Sequence, residues 1–200
     1  MSGTFPSTPA PTSIKVESVE PNLVSVSTSL RRQVRSRGGQ RWLFTVTFPP
    51  LTRADMASIY AFSVKQKGQY ETFNWVPTTI GTTRGITSES PVVDGALAVG
   101  VAQASVDGLT ASTANILRSG DFFKFSGHSK VYMVTADMSS DGSGDATLSF
   151  SPNLESAVAN NETITTNSVP FQVAFANDTR EYNTDASGYY SYDIALIEVP

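Results

Sequence analysis

The chain has 200 residues, 40% hydrophobic and 16% charged, enough for one domain or one domain with a sizeable insertion. It contains no cysteine, which excludes disulfide frameworks and thiolate metal sites, and no apolar run approaches the ~20 residues that span a bilayer. The net charge of −4 conceals an asymmetry: residues 1–90 hold ten Lys/Arg against five Asp/Glu, whereas residues 91–200 hold four against thirteen. Segregated basic and acidic surfaces attract copies of the same molecule.

Residues 1–13 have neither a basic n-region nor an apolar h-region, so they read as a flexible arm and not as a secretory signal. Apolar and polar residues then alternate over 14–19, and Pro21-Asn22 turns the chain into a second strand over 23–30. The stretch RRQVRSRGGQRW follows, with five arginines and no acid. Its Gly38-Gly39 pair predicts a hairpin tip, with Arg41–Phe48 returning beside 30–37. A three-residue loop of Gly38, Gly39 and Gln40 places Leu30, Arg32, Val34 and Ser36 with the apolar Trp42, Phe44, Val46 and Phe48. It leaves Arg31, Gln33, Arg35, Arg37 and Arg41 together on the other face. Like charges so opposed are destabilising unless something acidic meets them.

Pro49-Pro50 ends that strand. Thr52-Arg53-Ala54-Asp55 has capping-box spacing and opens the one convincing helix, with an apolar stripe of Met56, Ile59, Tyr60, Ser63 and Val64 and a stop at Gly68. A strand over 70–76 closes at Pro77. From Pro91 the rhythm changes, and strands are expected over 96–106, 122–125, 131–135 and 146–150, the last two joined by SSDGSGD. Some 75 residues are too many for a structureless loop, for which about 12–15 is already unusual. Residues 91–165 are therefore expected to be a small inserted β-module. The main unit, 14–90 plus 166–200, resumes with alternating strands over 169–175 and 190–196 around a turn at 183–188. The expected fold is all-β with one helix, a β-barrel or sandwich carrying an inserted module.

Few residues suggest chemistry. His128, the lone histidine, sits in the turn SGHSK without a nucleophile elbow. The acids around Asp141 miss the EF-hand spacing, and Asp141-Gly142 between alternating strands is a hairpin signal. No cofactor is expected. With a pI near 4.9 and a single basic stretch, sequence-specific nucleic-acid binding is not expected either. An interface role for Arg31, Arg35, Arg37 and Arg41 fits best, because arginine forks suit interfacial carboxylates.

Two stretches bear a family likeness. GGQRWLFTVTFPPLTRADMASIYAFSVKQKGQYETF resembles the N-terminal part of distal tail (tail-tip, baseplate hub) proteins of tailed bacteriophages. LRSGDFFKFSGHSKVYMVTADMSSDGSGDATLSFSPNL resembles their inserted module, with its Leu-x-x-Gly-Asp turn, Tyr-x-Val strand and Asp-x-x-Gly-x-Ala-Thr-Leu hairpin; Glu155 stands where a basic residue is usual. The resemblance implies a tail-tube-type barrel and a non-enzymatic virion protein, assembled in the host cytoplasm. It also implies a homo-oligomeric, hexameric ring that joins the tail tube to the hub and fibres, without membrane insertion. Ring closure needs a heterologous interface. The arginine stretch would be its donor face, and Glu181, Asp185 and Asp193, near Tyr189-Tyr190, its acceptor. The alternative is a host-surface or carbohydrate-binding module of a phage tail, seated in 91–165.

Overall fold

A computed structural model describes residues 3–200. In chain order the elements are β1 (Ser13–Val19), β2 (Asn22–Val26), β3 (Arg32–Ser36), β4 (Arg41–Thr47), α1 (Arg53–Lys65), β5 (Phe73–Trp75), β6 (Val92–Val93) and β7 (Gln103–Asp107). They continue with β8 (Phe122–Phe125), β9 (Tyr132–Val134), β10 (Ala146–Ser151), β11 (Ile164–Thr165), β12 (Phe171–Phe175), β13 (Asn183–Thr184), β14 (Tyr190–Ser191) and β15 (Asp193–Glu198). The fold is all-β with one helix. Five strands form one sheet in the order β1-β4-β15-β12-β5, and six form another in the order β11-β8-β9-β10-β7-β6. All six strands of the second sheet come from the chain between β5 and β12.

β4 shows why the first sheet holds. Trp42, Phe44, Val46 and Phe48 point inward and are buried, as their alternation predicts. They meet Phe73, Trp75, Phe171, Ile194 and Leu196 in one core. The helix covers that core with Met56, Ile59 and Ser63. Its cap is the expected one: the Thr52 side chain accepts from the Asp55 N–H at 3.3 Å and donates to Asp55 Oδ2 at 2.7 Å. Val64, expected in the buried stripe, faces solvent, and Phe62 packs edge-on against Phe5 and Phe73 instead.

Two expectations fail here. The first thirteen residues are not a free arm over their described part. The Phe5 N–H donates to Asn74 O at 2.8 Å, and its ring is buried between Phe48, Phe62 and Phe73. An aromatic so placed removes on the order of 150–250 Å² from water, which outweighs the polar neighbours that suggest an arm.

The second failure is the glycine hairpin. β4 is bonded on both edges, to β1 and β15, so no edge remains for β3. β3 pairs with β2 instead, from Asn22↔Ser36 to Val26↔Arg32. Strands β1 to β4 thus form one long ribbon whose tip is the turn 27–31, where the Ser27 N–H donates to Arg31 O at 3.0 Å. Gly38 and Gly39 lie within its second arm, both left-handed with φ of 68° and 72°. There Glu20 and Pro21 stand opposite four residues, 37–40, and two consecutive glycines let the longer side take up the slack.

The inserted sheet has its own core around Phe123, Phe125, Tyr132, Leu148 and Phe150. It reaches the first core through Phe122, whose ring meets Trp42 at 5.1 Å and Phe171 at 5.4 Å. Asp121, just before it, organises the entry. Its carboxylate accepts from Thr83 Oγ1 (2.5 Å), Arg118 N (3.0 Å) and Arg84 N and Nε (3.2 and 3.1 Å). Burial opposes ionisation, but these bonds outweigh it and hold the Asp121 carboxyl below its ordinary 3.8. The stability this contributes is therefore complete above that value and is lost as pH falls through the lower folded-state value. Asp121→Asn should cost about 2–3 kcal/mol at pH 7, because an amide turns N–H groups toward donors. In denaturant titrations the difference from wild type should shrink below pH 3.8; a constant difference would assign the loss to packing.

Candidate subunit interface

Strands β2 and β3 leave the body of the molecule, and every residue in them is exposed. The register puts Val24, Val26, Arg32, Val34 and Ser36 on one face and Leu23, Ser25, Gln33 and Arg35 on the other. The expected separation of Arg32, Val34 and Ser36 from Gln33 and Arg35 therefore holds, but the partner strand is different and the valine face meets water. Val24, Val26 and Val34 are 50–57% exposed. A two-stranded ribbon alone in water is marginal, so a covering surface would stabilise it. Arg31 sits at the tip, Arg37 at the foot, and Arg41 opens β4. The opposed pair expected of Arg37 and Arg41 does not form. Among the described residues none of Arg31, Arg35, Arg37 and Arg41 is ion-paired; the three ion pairs are Lys15–Glu17, Arg84–Asp121 and Lys130–Glu198.

The named acids gather at the opposite end of the same sheet. Asp193 opens β15 and lies across from Thr47, the last residue of β4. Arg41 and Asp193 are both exposed on the outer face, six residues apart along β4, or roughly 20 Å. The β13–β14 hairpin joins that end through two bonds between Leu51 and Tyr190, of 2.9 and 3.0 Å. It carries Asp185, whose Oδ1 accepts from the N–H groups of Ser187 and Tyr189, both at 2.9 Å. Glu181 stands beside Tyr182, whose ring contacts Tyr60 and Tyr190 at 5.0 and 5.6 Å. One sheet thus has a basic end, extended by the ribbon, and an acidic end edged with tyrosine.

At the basic end, beside Arg41, lies a buried cluster absent from the sequence expectations. Lys130 Nζ, 2% exposed, donates to the carboxylate of Glu198, which is 0% exposed, and to the main-chain and side-chain oxygens of Gln40 at 2.9 and 2.7 Å. Glu198 also accepts from the N–H groups of Trp42 (3.2 Å) and Val131 (2.9 Å). Burial pushes Glu198 up and Lys130 down, while their mutual attraction pulls each back. A signal was present: Gln40 and Glu198 continue the inward-facing parities of β4 and β15, so each is a polar residue at a core position.

Among the described residues no catalytic arrangement emerges. His128 Nε2 lies 3.4 Å from Ala157 O, with its ring packed on Phe125. Asp141 Oδ1 accepts from Ser143 N (2.8 Å) and Asp145 N (3.1 Å), the local bonding of a turn. These backbone donors hold its carboxyl low. No group of three or more His, Cys, Asp or Glu among the described residues could hold a metal ion. The cleft between the ribbon foot and the insert, ≈ 310 Å³, is lined by Glu20, Pro21, Gly38, Gly39, Pro152 and Glu155, among others, without a paired nucleophile and base.

The inserted sheet carries the likeness to a known family. Residues 96–169 match the family model described as distal tail protein pb9, B domain. The chain carries a pb9-type distal tail protein B domain. No curated protein matches the chain. The match spans β7 to β11 of the inserted sheet and does not extend to β1 to β5 or β12 to β15. No helix among the described residues is long and apolar enough to cross a membrane.

Proposed function

We propose that the chain is the ring-forming subunit of a phage tail tip. Residues 14–90 with 166–200 form the ring, six copies closing it, and 91–165 sit outside as a peripheral unit. The ring joins the tail tube to the hub and fibres, and is assembled in the host cytoplasm before it enters the virion. The observation behind this reading is the placement of an unpaired arginine ribbon and an acidic, tyrosine-edged end at opposite ends of one sheet. A head-to-tail contact brings the two together and leaves each copy with one free end of each sign until the ring closes. The rival role, glycan binding by the insert, lacks support from its aromatics: Phe122, Phe123, Phe125, Tyr132 and Phe150 are all buried.

The test is sedimentation velocity with negative-stain imaging of the full chain at ~0.15 M salt, where surface charge is screened beyond about 8 Å. Closed rings of six are expected. A protein that stays monomeric at tens of micromolar, or forms isologous dimers, overturns the reading.

A further inference from the structure

The acidic end contains a depression with a carboxylate and two tyrosines among its lining residues. It lies between Pro50 and the β13–β14 hairpin, has a volume of ≈ 190 Å³, and is lined chiefly by Thr184, Asp185, Tyr189, Tyr190 and Ser191. Its walls are largely apolar. Tyr189 is half exposed. Asp185 is held by two backbone N–H groups on Oδ1, while Oδ2 accepts no hydrogen bond among the described residues. A carboxylate fixed in this way is preorganised to receive a donor.

We infer that this notch receives a guanidinium from the ribbon of a second copy. The inference rests on the ring reading and adds the chemistry of its acceptor. A guanidinium is planar and weakly hydrated, stacks on aromatic faces and forks onto carboxylates, whereas an ammonium does none of these well. This chain already uses arginine so: Arg180 lies 3.8 Å over the Phe175 ring, and Arg84 binds Asp121. Arg180, the cation nearest in sequence to the hairpin, is committed to that ring and to Asn177. The chain's own ribbon leaves from the opposite end of the sheet. Its arginines have no acid of their own, so charge complementarity points to another copy as their source.

The experiment pairs substitutions that keep charge and change shape with two that remove a charge. Arg31→Lys, Arg35→Lys, Tyr189→Ala and Asp185→Asn are made in the full chain, with Arg53→Gln as a control for the arginine nearest Pro50. Self-association is measured by sedimentation equilibrium, and folding by circular dichroism. One of the two lysine variants and Tyr189→Ala should each weaken association on the order of tenfold. Combined, they should lose little more than either alone, because both remove one contact. Asp185→Asn should weaken it, and Arg53→Gln should not. Wild-type association in both lysine variants and in Tyr189→Ala overturns the notch but leaves the ring standing. Purely additive losses also overturn the notch. A wild-type chain that never associates removes both.

Discussion

Reversing charge at two positions, Arg35→Glu with Arg41→Glu, should abolish assembly and leave a folded subunit. Neither side chain is ion-paired within the chain, and both are exposed, so the monomer loses little. The proposed interface loses much, since each substitution would turn an attraction into a repulsion against Glu181, Asp185 or Asp193. Close interfacial charge pairs couple by about 1.5–7 kcal/mol, so self-association should weaken by more than ~100-fold. Thermal unfolding of the monomer should stay within a few degrees of wild type. Raising salt to ~1 M, where screening acts beyond about 3 Å, should weaken the wild-type ring in the same direction. Asp185→Arg with Asp193→Arg, added to the reversed ribbon, should recover part of the loss. Rings that survive the double reversal at physiological salt would sink the assignment of Arg31, Arg35, Arg37 and Arg41.

The second large effect concerns Lys130. Lys130→Met leaves Glu198 as an uncompensated charge at 0% exposure, and removing one partner of such a pair costs about 3–5 kcal/mol. Adding Glu198→Gln should return a substantial part, since the buried charge disappears while the amide oxygen still accepts from the N–H of Trp42 or Val131. Recovery stays incomplete because the carboxylate serves both N–H groups. Equilibrium unfolding in denaturant measures all three proteins. A single variant as stable as wild type would mean that the pair is dispensable, and a double variant worse than the single would mean that Glu198 matters through its backbone partners alone.

How much of this was readable from residues depends on the element. The β4 and β15 strands announce themselves because one face of each is dry, and period-two alternation is the direct imprint of that. The helix start is legible because Thr52 and Asp55 bond to each other locally. The ribbon is hard to read because Gly38-Gly39 is the strongest turn signal nearby, whereas the true turn, Ser27-Thr28-Ser29, is made of small polar residues that also suit an exposed strand. Pairing partners are set by which edges remain free, and that is decided by β15, about 150 residues away. The strand expected over 96–106 shortens to Gln103–Asp107, since its first half makes only a single bridge, Leu97↔Val158, before turning at Gly100. The candidate residues were found by sign of charge. Their arrangement at two ends of one sheet, and the notch beside Tyr189, needed coordinates.

The Lys130 cluster also has a mechanical consequence. It fastens the inserted sheet to β4 and β15, adjacent strands in the interior of the first sheet, through groups that cannot slide apart without stranding charge. A load on the inserted sheet is therefore passed to two strands that are each bonded along both edges. An attachment at an outer strand would yield by unzipping one bond at a time.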